Sequence, residues 1–392
     1  MKILQVVPFF EPAWAYGGPP RSVSELSHAL AKRGHKVTVL TTDALAEHSR
    51  MPLRLVRKDL EVHYCRNVSN WLAWREHLFL APENYSFLRR WLPDFDLIHL
   101  HEYRTFQNVV AHNQAVRRHR PYVLSAHGST PNMVSKRTPK VIFDLFWGNR
   151  ILHEATRLIA VSKAERTQYE NCGIPTTKIS VVYNGIDSSA YRKLPRAGGF
   201  VKDKLGTDTK VVTYIGRLNA RKGLDTLLRA FASVNRSDPK TFLVLVGPDD
   251  GYRRPLEQLA EQLRITSSTI FTGMITMPHK LQVLADSDVV VYPGYSEIFG
   301  LVPFEALACG RPVVVCDDSG CGEIIREQGA GITFPPGDAS TLQRGIEMSL
   351  QRGAEIEAAV LRGLRFVERE LDWNRIAAAT EAIYQEAFAA AG

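Results

Sequence analysis

Short β-branched runs alternate with amphipathic helical segments twice along this chain of 392 residues. In the first half the runs fall at residues 2–7, 36–41, 96–100, 122–126, 157–161 and 179–183. In the second they fall at residues 210–215, 242–246, 270–272, 289–292 and 313–316. Apolar strands separated by helices imply a parallel, doubly wound sheet, because parallel neighbours need a crossover and the crossover helix must bury its apolar stripe. Between the two sets the pattern lapses at residues 184–200 into Asn184-Gly185-Ile186-Asp187 and Pro195-Arg196-Ala197-Gly198-Gly199, which reads as a linker. The expectation is an α/β protein with domains at residues 1–190 and 191–372, closed by an alanine-rich amphipathic helix over residues 373–392.

Composition narrows the class. Hydrophobic content of 45% and charged content of 23% suit a water-soluble globular protein, and there is no run of 18 apolar residues to cross a bilayer. The apolar start, interrupted by Pro8, reads as a first buried strand rather than a signal peptide. The five cysteines (Cys65, Cys172, Cys309, Cys316 and Cys321) form no Cys-x-x-Cys pair, which points to a reducing, cytoplasmic setting without a disulfide framework. The net charge of +8 is concentrated: residues 1–190 hold 25 Lys+Arg against 16 Asp+Glu, and the remainder hold 24 against 25. A field of that sign attracts anionic lipid headgroups, phosphorylated substrates or nucleic acid. No RNA-binding motif accompanies it, so nucleic acid is not expected as a partner.

Chemistry is densest at Glu297-Ile298-Phe299-Gly300-Leu301-Val302-Pro303-Phe304-Glu305, followed by Ala306-Leu307-Ala308-Cys309-Gly310-Arg311-Pro312-Val313-Val314. The two carboxylates fall between the carboxyl end of a strand and a short helix, where open α/β sheets bind ligands. Paired carboxylates there suit the hydroxyls of a polyol. The Glu-x7-Glu spacing, the intervening Phe-Gly and the trailing Glu-Ala-Leu-Ala-Cys-Gly-x-Pro-Val-Val resemble the signature of glycosyltransferase family 4. The resemblance implies the GT-B fold: two Rossmann-like, doubly wound domains facing across a cleft, with the final helix crossing back to the first. It also implies domains that close on the ligand and a retaining, metal-independent transfer of sugar from a nucleoside diphosphate to an acceptor hydroxyl.

Further motifs support that resemblance. The strand at residues 211–215 ends in Gly216-Arg217-Leu218, with Lys222-Gly223 following. A guanidinium fork and a mobile ammonium suit diphosphate oxygens, and fixed cations stabilise charge on a departing diphosphate. Gly-Arg-Leu-x3-Lys-Gly is similar to the family's diphosphate motif, which places that role on Arg217 and Lys222. By the same resemblance Glu297 holds donor-sugar hydroxyls, Glu305 the ribose, and the backbone N–H groups of Phe299, Gly300 and Leu301 help place the sugar. Gly17 and Gly18, after the first strand and before a helix, form a loop from which the backbone can approach a phosphate. They do not belong to a G-x-G-x-x-G dinucleotide fingerprint. His127, in Ser125-Ala126-His127-Gly128, resembles the family histidine that touches the donor sugar near its reacting carbon. Met274 and Ile275 lie where the resemblance implies backbone recognition of the base, which leaves UDP-, GDP- and ADP-sugars open.

His99 and His101 flank Leu100 on one strand face and read as structural or acceptor-side, since two ligands do not make a metal site. Asp94 and Asp96 read as capping a strand, and no metal is expected. The resemblance is densest over residues 210–325, weaker over 1–40 and 120–190, and nearly absent over 41–115. The chain departs from it at Ile298 and Cys321, where the family carries glycine, and those positions bear on pocket shape. Trp71, Trp74 and Trp91 with basic neighbours, and the arginine-rich loop holding Arg50, Arg54, Arg57 and Lys58, suit an anionic membrane surface and a saccharide or lipid-linked acceptor. The expected setting is therefore cytoplasmic, peripheral on the inner face of the plasma membrane, in cell-surface polysaccharide or glycolipid synthesis. Rival readings are a GT-B nucleotide-sugar epimerase, a basic nucleic-acid-binding protein and an inactive partner subunit.

Overall fold

Apolar residues at period two, flanked on both sides by helices, fold into two separate parallel sheets in a computed structural model. The structure describes residues 1–51, 60–129, 137–195, 198–206 and 208–390; Arg54, Arg57, Lys58, Arg196 and Ala197 lie outside them. The chain divides into two compact units, one of Met1–Gly185 with Trp373–Gly392 and one of Ile186–Asp372.

The first unit carries strands β1 (Lys2–Val6), β2 (Lys36–Thr42), β3 (Glu61–Cys65), β4 (Leu97–His101), β5 (Tyr122–Ser125), β6 (Arg157–Ala160) and β7 (Ile179–Val181). Their order is β3-β2-β1-β4-β5-β6-β7, all parallel. Order reverses between β1 and β4, and the carboxyl ends of those strands form the crevice where such sheets take ligands. Strand alternation sorts the side chains. Leu4, Val6, Ile98 and Leu100 pack on one face, whereas Ile3, Val7, Leu97 and Val123 pack on the other against Val23, Leu26 and Leu30 of helix Gly18–Lys32. The second face is shared by the terminal helix Trp373–Ala389 through Ile376, Ile383 and Tyr384. Arg33 and Arg157 fasten that helix at its rim through Glu381 and Glu386. Asp96 caps the neighbouring strand rather than its own, accepting the Lys2 N–H at 2.7 Å.

The second unit carries β8 (Lys210–Ile215), β9 (Thr241–Val246), β10 (Thr269–Gly273), β11 (Val289–Tyr292), β12 (Val313–Cys316) and β13 (Ile332–Phe334). Their order is β10-β9-β8-β11-β12-β13, again all parallel, with the reversal between β8 and β11. The near-continuous apolar runs Val211–Ile215 and Val289–Val291 are what a sheet buried on both faces requires, and every one of those side chains is at least nine-tenths buried.

The strands of these two sheets absent from the sequence reading are both edges, Glu61–Cys65 and Ile332–Phe334, and a short antiparallel pair, Ala44–Ala46 with Ser49–Arg50, is likewise absent from it. Glu61 is exposed and Val62 and His63 are half-buried, so β3 lacks the uninterrupted apolar run of an inner strand.

Candidate active site

In the second unit the ends of β8 and β11 bring four sequence-selected residues to two facing turns. After β8 the chain can turn only because of glycine. Gly247, at φ 141°, lies so close to Gly216 that a β-carbon would sit 1.9 Å from the Gly216 carbonyl oxygen. Gly216 donates its N–H to Val246, and Gly247 donates its own to Gly273 at 3.0 Å, aligning the ends of three adjacent strands. Arg217 follows with half its side chain in solvent and, among the described residues, a long 3.3 Å contact to Asp250. Asn219 caps the next turn by accepting the Arg221 N–H, and Lys222 then leads into Gly223 at φ 64°. A β-carbon on Gly223 would come within 2.2 Å of the Pro293 carbonyl, so the two turns touch through backbone.

Side chains lock the same junction. The Lys222 ammonium pairs with Glu297 Oε1, and Tyr292 donates its hydroxyl to Glu297 Oε2 at 3.0 Å. Burial first, and then the facing Glu297 charge, push the Tyr292 phenol well above its ordinary range, so it remains a donor. The Glu297 backbone is held by a bridge to Ser319, and its carbonyl accepts the Gly320 N–H at 2.7 Å. Gly300 has no room for a side chain, since a β-carbon would lie 2.7 Å from the Tyr292 ring and 3.0 Å from the Cys321 sulfur. Cys321, one of the two departures from the family pattern, thus fills the space behind the Gly300 turn. Burial raises its thiol to about 12, which keeps it an inert packing group. Ile298, the other departure, is buried. Phe299 stacks on Phe304 with ring centroids 5.5 Å apart, and Leu301 precedes helix Val302–Ala308.

Glu305 lies in the first turn of that helix and is 4% exposed. Tyr191 donates to its Oε1 at 2.7 Å and Lys280 pairs with its Oε2 at 2.5 Å. Both partners were missed from sequence, and both carboxylate oxygens are already engaged. Any ribose hydroxyl would have to use the remaining lone pairs. Met274 is two-thirds exposed and Ile275 half-buried beyond the end of β10, separated from Arg217 by the Gly247 turn.

The other selected residues belong to the first unit. Gly17 stands at φ 105°, and a β-carbon on either Gly17 or Gly18 would meet nothing within 4 Å, so the loop before helix Gly18–Lys32 borders open space. That helix has no side-chain cap, but Pro19 and Pro20 carry no N–H, so in its first turn only Gly18 and Arg21 offer backbone donors to an anion. His127 follows β5 at φ 49° and is half-buried. Glu165 fixes its neighbours, accepting the Gly128 N–H at 2.6 Å and the Val161 N–H at 2.8 Å. Burial lifts the Glu165 carboxyl to about 7 despite those bonds, and lifts Glu102, whose nearest relief is Ser129, to about 8. Sequence gave no sign of Glu102 or Glu165. No group of three or more His, Cys, Asp or Glu able to hold a metal occurs among the described residues.

The model described as glycosyl transferases group 1 matches residues 200–359, and the one described as glycosyltransferase family 4 matches residues 16–190. An uncharacterized glycosyltransferase of Methanocaldococcus jannaschii is 30% identical over 95% of this chain and 96% of its own length. The chain is a family 4 glycosyltransferase. Solved structures similar to this glycosyltransferase share its GT-B fold at 22% identity. They include Anabaena HepE in complex with UDP, with a TM-score of 0.77 over 98% of this chain and 100% of that one. Sucrose-phosphate synthase from Thermosynechococcus elongatus gives 0.80 over 99% of each. In this family 4 enzyme, Arg217, Lys222 and Glu297 sit at the switch point of the second sheet, while in the first unit His127 follows β5 and Gly17 leads into helix Gly18–Lys32.

Proposed function

We propose that the enzyme transfers a hexose from a nucleoside diphosphate to an acceptor hydroxyl with retention of anomeric configuration. The observation that carries the reading is the Lys222–Glu297–Tyr292 cluster beside a half-exposed Arg217. It offers a carboxylate for sugar hydroxyls next to two cations for a diphosphate. Arg217 gives the fork and Lys222 the point charge, with one of the three Lys222 N–H bonds already spent on Glu297. Glu297 holds the sugar, Glu305 the ribose, and Phe299, Gly300 and Leu301 place the sugar through backbone N–H groups. The Gly17-Gly18 loop binds phosphate, His127 meets the sugar, and Met274 and Ile275 border the base. HepE is solved with UDP and with UDP-glucose, which favours a uridine donor over GDP- or ADP-sugars.

In the transfer, the acceptor oxygen bonds to the anomeric carbon on the face from which the diphosphate leaves. The carbon–oxygen bond to phosphate breaks, and the phosphate oxygen takes the acceptor's proton. Neither an enzyme nucleophile nor a metal is required. A lipid-linked or saccharide acceptor is supported by an exposed apolar face on helix Arg137–Phe143 and the turn Asp144–Gly148. Val141, Ile142, Leu145 and Phe146 there are 50–70% exposed, in a stretch where Lys136, Arg137, Lys140 and Arg150 outnumber Asp144. The reading is peripheral contact at an anionic cytoplasmic face; no helix among the described residues is long and apolar enough to cross a membrane. Trp71 is exposed, whereas Trp74 is spent on the core, packed edge-on against Tyr16.

Proton NMR of the product from an α-linked donor tests the reading. An α-linked product with stoichiometric nucleoside diphosphate is expected. A β-linked product would remove retention, and an epimerised sugar from donor alone would favour the epimerase.

A further inference from the structure

On the face of the first sheet beneath the terminal helix, apolar residues give way to polar ones at the carboxyl ends of the strands. Ile3 is followed in phase by Gln5, Leu97 by His99 and His101, and Val123 by Ser125. Gln5 lies opposite His99 in register, and His101 opposite Ser125, so these residues meet at the switch point between β1 and β4. Gln5, His99, His101, Ser125 and Tyr384 are all at most 3% exposed. They form one continuous chain. Ser125 Oγ is 2.8 Å from His99 Nε2, and His99 Nδ1 is 2.7 Å from the Tyr384 hydroxyl. Gln5 Nε2 donates to the same hydroxyl at 3.2 Å, and Gln5 Oε1 is 2.6 Å from His101 Nε2. His101 Nδ1 is 3.0 Å from His127 Nε2.

Burial, the largest effect on each, lowers His99 and His101 well below 6.5 and His127 to about 4, so all three rings are neutral with one N–H each. The direction of every bond then follows from the amide. Its N–H can only donate, so the Tyr384 hydroxyl accepts it; the buried phenol proton then turns to the hydroxyl's other neighbour, His99 Nδ1, and His99 donates Nε2–H to Ser125. Its oxygen can only accept, so His101 carries its proton on Nε2 and receives the Nε2–H of His127 on Nδ1. Turning the amide over would reverse all of these bonds and move the His127 proton to Nδ1.

We propose that Gln5, held by Tyr384 of the terminal helix and acting through His101, is a positioning residue that fixes His127 as the Nε2–H tautomer. The Nδ1 lone pair of His127, which has no partner in the described chain, is then an acceptor for a hydroxyl of the donor sugar. This last step rests on the reading of His127 as a donor-sugar contact. The backbone at φ 49° and the Glu165 bond to Gly128 hold the ring's attachment point, and the relay sets which of its nitrogens bears the proton.

Ring-nitrogen NMR of the full chain labelled with ¹⁵N-histidine at about pH 7 tests this without any ligand. His99, His101 and His127 are each expected to show a protonated Nε2 and a bare Nδ1. A protonated Nδ1 at His127, or an average of the two tautomers, would overturn the proposal. In Gln5→Leu and in Tyr384→Phe the His127 signals are expected to move to a tautomeric average while the backbone amide spectrum persists. Retention of the pure Nε2–H form in Gln5→Leu would also overturn it. Calorimetric titration then reads the consequence, with Gln5→Leu expected to bind UDP as wild type does and UDP-glucose about tenfold more weakly. Equal weakening of both contradicts the positioning role. Binding of neither by wild type contradicts the uridine-donor reading alone, because the tautomer is read with no ligand present.

Discussion

The ammonium of Lys222 and the carboxylate of Glu297, 75 residues apart in the chain, form an ion pair across the two turns that follow β8 and β11. Each side chain is about one-fifth exposed, so the pair is partly screened and also reachable by a ligand. Lys222→Ala leaves Glu297 with Tyr292 and, on the proposed function, removes a cation facing the departing diphosphate. We expect kcat to fall about 10²-fold, with a smaller change in KM, read by release of nucleoside diphosphate. Wild-type kcat in Lys222→Ala would remove it from the chemistry.

Glu305 is the more deeply held carboxylate. Lys280→Ala removes the cation paired with it and is expected to cost about 3–5 kcal/mol in urea unfolding. Tyr191→Phe removes one hydrogen bond to a charged group and is expected to cost about 1.5–3 kcal/mol. Equal and negligible losses would mean that Glu305 is solvated rather than paired.

Glycines at the strand ends differ in what they forbid. Gly247→Ala forces a β-carbon against backbone, which cannot yield, and should prevent folding of the second unit, read by near-UV circular dichroism. Gly300→Ala meets the edge of the Tyr292 ring and the Cys321 sulfur and should cost about 1–3 kcal/mol. Adding Cys321→Gly removes one of those obstacles and should recover part of the loss. Additive destabilisation in the double variant would refute the shared contact.

How much of this was legible in the chain follows from how far each interaction reaches. The inner strands declared themselves because a sheet buried on both faces needs unbroken apolar runs such as Val289–Val291. The edge strand Glu61–Cys65 did not, since an edge tolerates Glu61 and His63. Arg217, Lys222, Glu297 and Gly300 stood out because their spacings along two turns resemble the family's motifs. Lys280, Tyr191, Gln5 and Glu165 act across the fold on partners far along the chain, and no spacing encodes that. His101 was visible only as a polar residue in phase with His99.

Stability should depend on pH through the buried carboxyls near His127. Glu165 and Glu102 have folded values, about 7 and 8, above the ordinary carboxyl range. The folded state therefore binds their protons more tightly than the unfolded state. Their favourable contribution is complete below about pH 4 and is lost as pH rises through 7 to 8. His99 and His101, depressed by burial, act oppositely and cost stability as pH falls below about 6.5. Glu165→Gln should accordingly lose less stability than wild type between pH 5 and 8, measured by urea unfolding at about half-unit steps. An identical pH profile would contradict the buried, protonatable state of Glu165.

The apolar face at Val141, Ile142, Leu145 and Phe146 should bind anionic vesicles. Leu145→Asp with Phe146→Asp should abolish co-sedimentation with phosphatidylglycerol vesicles and leave the melting temperature within about 2 °C, because both side chains lie mostly in solvent. Undiminished sedimentation would move the contact elsewhere.

The central claim, a nucleoside diphosphate sugar held at the Arg217–Lys222–Glu297 junction, is tested most directly by thermal shift. UDP, GDP, ADP and their glucose or mannose esters would be added at about 100-fold above a micromolar dissociation constant. One nucleotide series should stabilise the protein by about 2.7 kcal/mol, and Arg217→Ala with Lys222→Ala should abolish the shift. A melting temperature unmoved by every nucleotide and sugar nucleotide would contradict the account.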